Sequence, residues 1–331
     1  MNARERLIAC LSLAEVDRPA VACVTQSATI EQMEAVNAPW PAAHSDPALM
    51  AKLGAAGALM LGFESMRIPF DLTVEAEAFG ANVDLGKIDR TPMLKSHPFH
   101  DEDVPVIPDD LTKGRVGVVI EATKLLKKQY GNEYPIVVGV AGPFTLAGHM
   151  VETGTLLLWC ITEPDTVHKF VKAAAEFQVK YIKALVAAGA DVIVLVDPSA
   201  STDMMHPSMF DTFAKPYLKM TREAAEGAKT ILHICGNTTE LLDRMIETGV
   251  DGLSIEEKVS PEAAVAKVDG RVALVGNVGV VKPLFQGTAD ETFAETVRIK
   301  EAGFNVIAPG CGLAARVPKA NLEAMVKAVK G

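Results

Sequence analysis

The chain is 331 residues long, 49% hydrophobic and 22% charged, enough to bury a large core. A formal net charge of -10 supplies no basic stripe to neutralise phosphates, which excludes nucleic acid as an expected partner. Five widely spaced cysteines, an odd number, fit a reduced compartment and exclude a disulfide scaffold.

The opening "MNARERLIACLSLAEVDRPA" predicts an amphipathic helix, without the apolar core and cleavage site of a signal peptide. No apolar run reaches the roughly 18 residues of a membrane span, so a cytoplasmic location without membrane insertion is expected. Eight short apolar runs follow: Ala20–Gln26, Glu64–Pro69, Ile136–Ala141, Val192–Asp197, Thr230–Cys235, Gly252–Glu256, Ala273–Asn277 and Asn305–Pro309. Helical patterns lie between most of them, at about Pro47–Leu61, Gly117–Tyr130, Pro164–Ala188, Pro207–Ala225, Thr239–Thr248, Pro261–Val268, Asp290–Glu301 and Pro318–Lys330. The alternation predicts a (β/α)₈ TIM barrel spanning 1–331 as one domain, with an N-terminal helical extension. Between Gly80 and Lys113 the pattern breaks; "GANVDLG" reads as a hairpin or irregular excursion and "KSHPFHDEDVPVIPDD" as a surface loop, an insertion after the second strand.

Function in such barrels sits at the strand C-termini. There "TILHICGN" places His233 and Cys235 two residues apart, hence on one face with Ile231, opposite Leu232 and Ile234. Their Cα atoms lie about 6–7 Å apart, close enough to reach one metal ion. Barrel closure brings Cys311, in the turn "PGCG", over the same rim; glycines 310 and 312 permit close backbone approach. A packed histidine and a buried thiol would explain the His-x-Cys pair alone, as apolar contexts explain Cys10, Cys23 and Cys160. Together His233, Cys235 and Cys311 form a soft set that would hold zinc with one position open. Two thiolates and an imidazole leave little net charge on zinc, so a substrate thiol binds as an electron-rich thiolate; oxygen ligands would favour water activation instead. S-alkylation is the expected chemistry.

The segments "DRPAVACVTQ", "APWPAAH", "VLVDPSAS", "LHICGN", "GLSIEEKV", "LVGNV" and "APGCG" resemble, over essentially the whole chain, the methylcobamide:coenzyme M methyltransferases of the uroporphyrinogen decarboxylase superfamily. The resemblance implies a TIM-barrel enzyme whose zinc, on His233, Cys235 and Cys311, activates the coenzyme M thiol for methylation. The methyl comes from methylcobalamin or a related corrinoid on a partner protein. This chain lacks the D-x-H-x-x-G sequence of a cobalamin domain. Related zinc enzymes add a glutamate from the next strand; Glu256, which shares a face with Ser254, is the preferred fourth ligand and Glu257 the alternative, each also readable as a rim carboxylate paired with Lys258. Gln26 and Asn277 are candidate donors to the sulfonate and Arg67 its candidate ion-pair partner, against a structural salt bridge. Asp197 either orients a ligand or caps local amides. Met204, Met205 and His206 read as a partner-facing loop or ordinary surface, and His97 and His100 as solvated. The alternatives are another thiol acceptor, a decarboxylase, and a non-catalytic corrinoid- or thiol-binding barrel. "VTQSAT" stands where the decarboxylases' arginine-rich motif is expected, and an open soft-metal set is of little use to a binding module.

Overall fold

The computed structural model describes residues 1–26, 28–100 and 103–331; Asp101 and Glu102 of the expected surface loop, and Ser27, lie outside the described residues. Among the described residues ten strands are numbered in chain order: β1 Ala20–Val21, β2 Met66–Ile68, β3 Asn82–Asp84, β4 Met93–Ser96, β5 Ile136–Ala141, β6 Val192–Val196, β7 Lys229–His233, β8 Gly252–Ile255, β9 Ala273–Val278 and β10 Val306–Pro309. Eight form a curled sheet in the order β1-β10-β9-β8-β7-β6-β5-β2, parallel at every pair. All eight apolar runs become strands of a TIM-barrel-like fold. The first is the shortest because β1 pairs with β10 on one side only.

No strand ladder joins β1 to β2 among the described residues, and other hydrogen bonds close the seam. The Glu64 amide donates to Val21 O (2.7 Å). The Glu64 carboxylate accepts from the Val21 amide (3.0 Å) and from Arg6 and Arg18. Ser65 Oγ accepts from the Cys23 amide (3.0 Å) and donates to Cys23 O (3.1 Å).

Two apolar layers follow from strand alternation. Val194, Ile231, Val275 and Val306 point into the barrel, whose lower end is plugged by Leu7 and Leu11 of the helix Ala3–Leu11. Leu232, Ile234, Leu253 and Ile255 point outward against the helices. Two helices that the sequence reading missed, Pro143–Val151 and Thr153–Thr162, lie between β5 and the long helix Pro164–Ala188. The first is buried on nearly every side, so it carries no polar face to reveal a helical period. The insertion after β2 contains the antiparallel hairpin β3–β4. Asp89 in its turn pairs with Arg316 at 2.8 Å, tying the hairpin to the loop after β10 at the C-terminal mouth. No single helix among the described residues is long and apolar enough to cross a membrane.

Candidate active site

β7 ends at His233, two residues short of the expected strand end, because its ladder with β8 stops at His233–Ser254. Alternation nevertheless continues: Ile231 lies in the inner layer and Leu232 and Ile234 in the outer one, which leaves His233 and Cys235 on the inward face. Gly236 follows with φ +84°, a left-handed turn that glycine adopts without strain. Cys311 comes from the far side of the sheet, two residues beyond β10. A Cβ on Gly310 would stand 2.7 Å from a Glu257 carboxylate oxygen and 3.3 Å from Glu256 Cα, so only glycine lets this turn approach the end of β8 so closely. Thr25 Oγ1 donates to Cys311 O at 2.8 Å and anchors the turn across the seam.

The donor atoms of His233, Cys235 and Cys311 all lie within 4.8 Å of one another. His233 Nε2 is 3.3 Å from Cys235 Sγ, and the two sulfurs are 3.5 Å apart. Tetrahedral zinc with ordinary Zn–S and Zn–N bonds requires donor separations of about 3.5–3.8 Å; the His233–Cys235 and Cys235–Cys311 separations meet this within a few tenths of an ångström. Hydrogen bonding to Cys311, reinforced by burial, pushes Cys235 up, and the same bond together with His233 pulls Cys311 down against its burial, so the two thiols titrate as one pair.

His233 is 1% exposed, and its Nδ1 lies 3.0 Å from Ser254 Oγ, leaving Nε2 free for the metal side. A group that fixes a ligating imidazole in this way raises metal affinity about 10–100-fold. Ser254→Ala is expected to weaken zinc binding by about that factor while leaving the fold intact; competition with a chromophoric chelator measures it, and unchanged affinity would assign Ser254 to packing alone.

The two glutamates diverge. Glu256 and Glu257 are each raised first by burial and next or later by the charge of Cys311. Glu256 lies 3.8 Å from Lys258 Nζ and accepts from the Gly236 amide. The Glu257 side chain packs against Gly310 and Gly279. Neither belongs to the group of three clustered donors.

A cavity of about 140 Å³ opens beside the cluster, walled by His233, Cys235, Cys311, Gln26, Arg67 and Asp71 among others. Arg67 is 3% exposed and donates to the carbonyls of Val24 (3.3 Å) and Pro69. Burial pushes it down to about 10, yet it remains cationic at neutral pH, and no carboxylate pairs with it among the described residues. Gly139 makes room: a Cβ there would stand 2.2 Å from Arg67 Nη2. The structural salt bridge considered for Arg67 is thus not formed. Gln26 lines the cavity while donating to Leu313 O at 3.2 Å.

Asp197 is fully buried behind a wall formed by Val196 and Pro198; it accepts the Thr145 amide at 2.7 Å and is pushed up to about 6 by burial. Asn277 directs its amide NH₂ to Glu256 O (3.0 Å) and Val259 O (2.8 Å), fixing the turn that carries both glutamates. Asp71, absent from the sequence reading, lines the cavity with its carboxylate held by Arg115 at 2.9 Å and by Thr73. Its place just after β2, in "IPFDL", was the available signal. His97, expected to be solvated, is half-buried and its Nδ1 lies 2.9 Å from His149 O, whereas His100 is exposed. Met205 is buried at 4% exposure, leaving Met204, 47% exposed, and His206 at the surface of that loop. Cys10, Cys23 and Cys160 are buried.

Residues 2–331 match the family model of uroporphyrinogen decarboxylase (URO-D). The chain is 38% identical over 334 residues to the methylcobamide:CoM methyltransferase MtbA of Methanosarcina acetivorans, covering 99% of this chain and 97% of that protein. It is 38% identical to MtaA of Methanosarcina barkeri, another methylcobamide:CoM methyltransferase, over 98% of this chain and 96% of that one. A solved methyltransferase from Methanosarcina mazei superposes with a TM-score of 0.96 at 39% identity, covering 99% and 98% of the two chains. The chain belongs to the uroporphyrinogen decarboxylase (URO-D) family, its full-length resemblance within that family is to the methylcobamide:CoM methyltransferases, and it is a methyltransferase.

Proposed function

We propose that the protein moves a methyl group from a methylated corrinoid protein to the thiol of coenzyme M, with zinc on His233, Cys235 and Cys311. The observation that carries this reading is the juxtaposition, around one small cavity, of a soft three-donor set and a buried guanidinium that forms no ion pair among the described residues. The names of the relatives point the same way. Zinc bound there would lower the pKa of an entering thiol so that it stays a thiolate at neutral pH.

The chain's own residues do the rest. His233, Cys235 and Cys311 hold the sulfur end, and two thiolates in that set keep the site soft and nearly neutral. Arg67 neutralises the sulfonate at the other end, with Gln26 as a further contact. Ser254 orients the imidazole, and Asn277 fixes the turn bearing Glu256, the candidate exchangeable fourth ligand. The thiol proton leaves to solvent on binding. The new S–C bond then forms as the Co–C bond breaks, and the corrinoid keeps the electron pair, passing from cobalt(III) to cobalt(I).

The test supplies the purified protein with methylcobalamin and coenzyme M, follows the corrinoid spectrum and the S-methylated product, and measures bound metal. Methyl-coenzyme M and about one zinc per chain are expected. 2-Mercaptoethanol and homocysteine in parallel reveal another preferred acceptor. Full activity without zinc, or no methylation of any thiol, would overturn the reading.

A further inference from the structure

Parallel pairing sets Arg67 of β2 beside Val137 of β5, and Val137 faces the barrel interior. Alternation makes Gly139 the next inward position on β5, level with Val194 of β6. Val137 and Val194 carry branched side chains there, and Gly139 carries none. Its φ is not positive, so the backbone at this point does not call for glycine. The space does: the heavy atoms nearest to a Cβ on Gly139 would be Arg67 Nη2 at 2.2 Å, Cζ at 2.9 Å and Nε at 3.4 Å. A glycine inside a strand weakens it and marks a site of close approach; the group that approaches here is the guanidinium.

That seat determines which nitrogen is open. Nε donates to Val24 O at 3.3 Å and Nη1 to Pro69 O, while Nη2 has no acceptor among the described residues. Arg67 lines the thiol cavity, so Nη2 is the nitrogen left for an anionic acceptor there. A guanidinium grips a carboxylate best through parallel bonds from two nitrogens. Either such pair would include a nitrogen already committed to a carbonyl. A sulfonate spreads three acceptor oxygens about a tetrahedral centre and can take both N–H groups of Nη2 without the fork.

We propose that Gly139 is the positioning residue for the anionic end of the acceptor: its missing side chain seats Arg67 with Nη2 open to the cavity, and this end-on grip favours a sulfonate over a carboxylate. The inference rests on the methyl-transfer reading above, in which the acceptor is an anionic thiol. Carboxylates are the more basic hydrogen-bond acceptors, so a preference for the sulfonate has to come from the geometry of the seat.

Ethanesulfonate and propionate, which lack the thiol, probe this end of the site in metal-free protein, with binding followed by NMR titration. The wild type is expected to bind ethanesulfonate about tenfold more tightly than propionate, and to show a KM for coenzyme M about tenfold below that for 3-mercaptopropionate. Gly139→Ala is expected to weaken ethanesulfonate binding and raise the KM for coenzyme M by about tenfold, with the KM for 2-mercaptoethanol and the zinc content within about threefold. In an Arg67→Met background the same substitution should change the KM for coenzyme M by less than about twofold, since the group it displaces is gone. Equal binding of the two anions by the wild type would overturn the proposal whether or not the variant folds. Turnover of coenzyme M with ethanesulfonate binding unaltered by Gly139→Ala would overturn it alone, as would equal effects on coenzyme M and 2-mercaptoethanol. Ethanesulfonate binding that Gly139→Ala weakens, without methylation of any thiol, would overturn the function and leave the seat standing; neither binding nor turnover in the wild type would overturn both.

Discussion

Cys235→Ala and Cys311→Ala are each expected to lose stoichiometric zinc and to lower the rate of methyl transfer from methylcobalamin to coenzyme M by about a thousandfold or more. That magnitude corresponds to roughly 4 kcal/mol of lost transition-state stabilisation at about 1.4 kcal/mol per decade. It is reasonable for a site left with two protein donors, where a substrate thiol no longer enters as a thiolate. Both cysteines are partly accessible and stand outside the packed apolar layers, so the variants should fold. Circular dichroism and thermal melting check this independently. Metal analysis is the primary measurement because it separates loss of the site from loss of substrate contact. Full zinc content and full activity in both variants would show that the sulfurs 3.5 Å apart are an incidental pair.

Arg67→Met is expected to raise the KM for coenzyme M by about a hundredfold, since a buried charge-assisted hydrogen-bonded pair is worth about 1.5–3 kcal/mol. For 2-mercaptoethanol, which has the same thiol and no sulfonate, the KM should change by less than about threefold. The comparison is internal to each protein preparation, so a general loss of stability cancels from the ratio. Arg67→Lys keeps a cation but loses the planar fork, and an intermediate KM for coenzyme M is expected. Equal effects on both thiols would reduce Arg67 to its contacts with the Val24 and Pro69 carbonyls and remove it from substrate recognition.

Much of the architecture was legible because it rests on local periodicity. Eight apolar runs separated by helical patterns could hardly build anything but a parallel sheet with its helices outside, and the strands fall where the runs are. The same period of two placed His233 and Cys235 on one face. For the helix Pro143–Val151 periodicity failed through burial, since it has too little exposed surface to need a polar stripe. The β1–β2 seam was also hidden, since nothing local in "GFES" says that Glu64 will bind Arg6, Arg18 and the Val21 amide at once.

The amino-acid sequence by itself determined the fold class, the strand positions, the shared face of the His-x-Cys pair and the soft character of the donor set. Those properties depend on residue type and on spacing of a few positions. The tertiary structure decided which distant groups meet: Cys311 reaches Cys235 across 76 positions, Ser254 sits against His233, and Asp71 appears on the cavity wall. It also decided which groups surround Arg67. A guanidinium forms a structural salt bridge only if a carboxylate comes within ion-pair distance once the chain has folded; among the described residues Arg67 instead donates to two backbone carbonyls, fills the gap left by Gly139 and lines a cavity, with Asp71 and Glu75 acting on it only through their charge. Such partnerships are set by the packing of elements far apart in the chain, which no short-range pattern encodes.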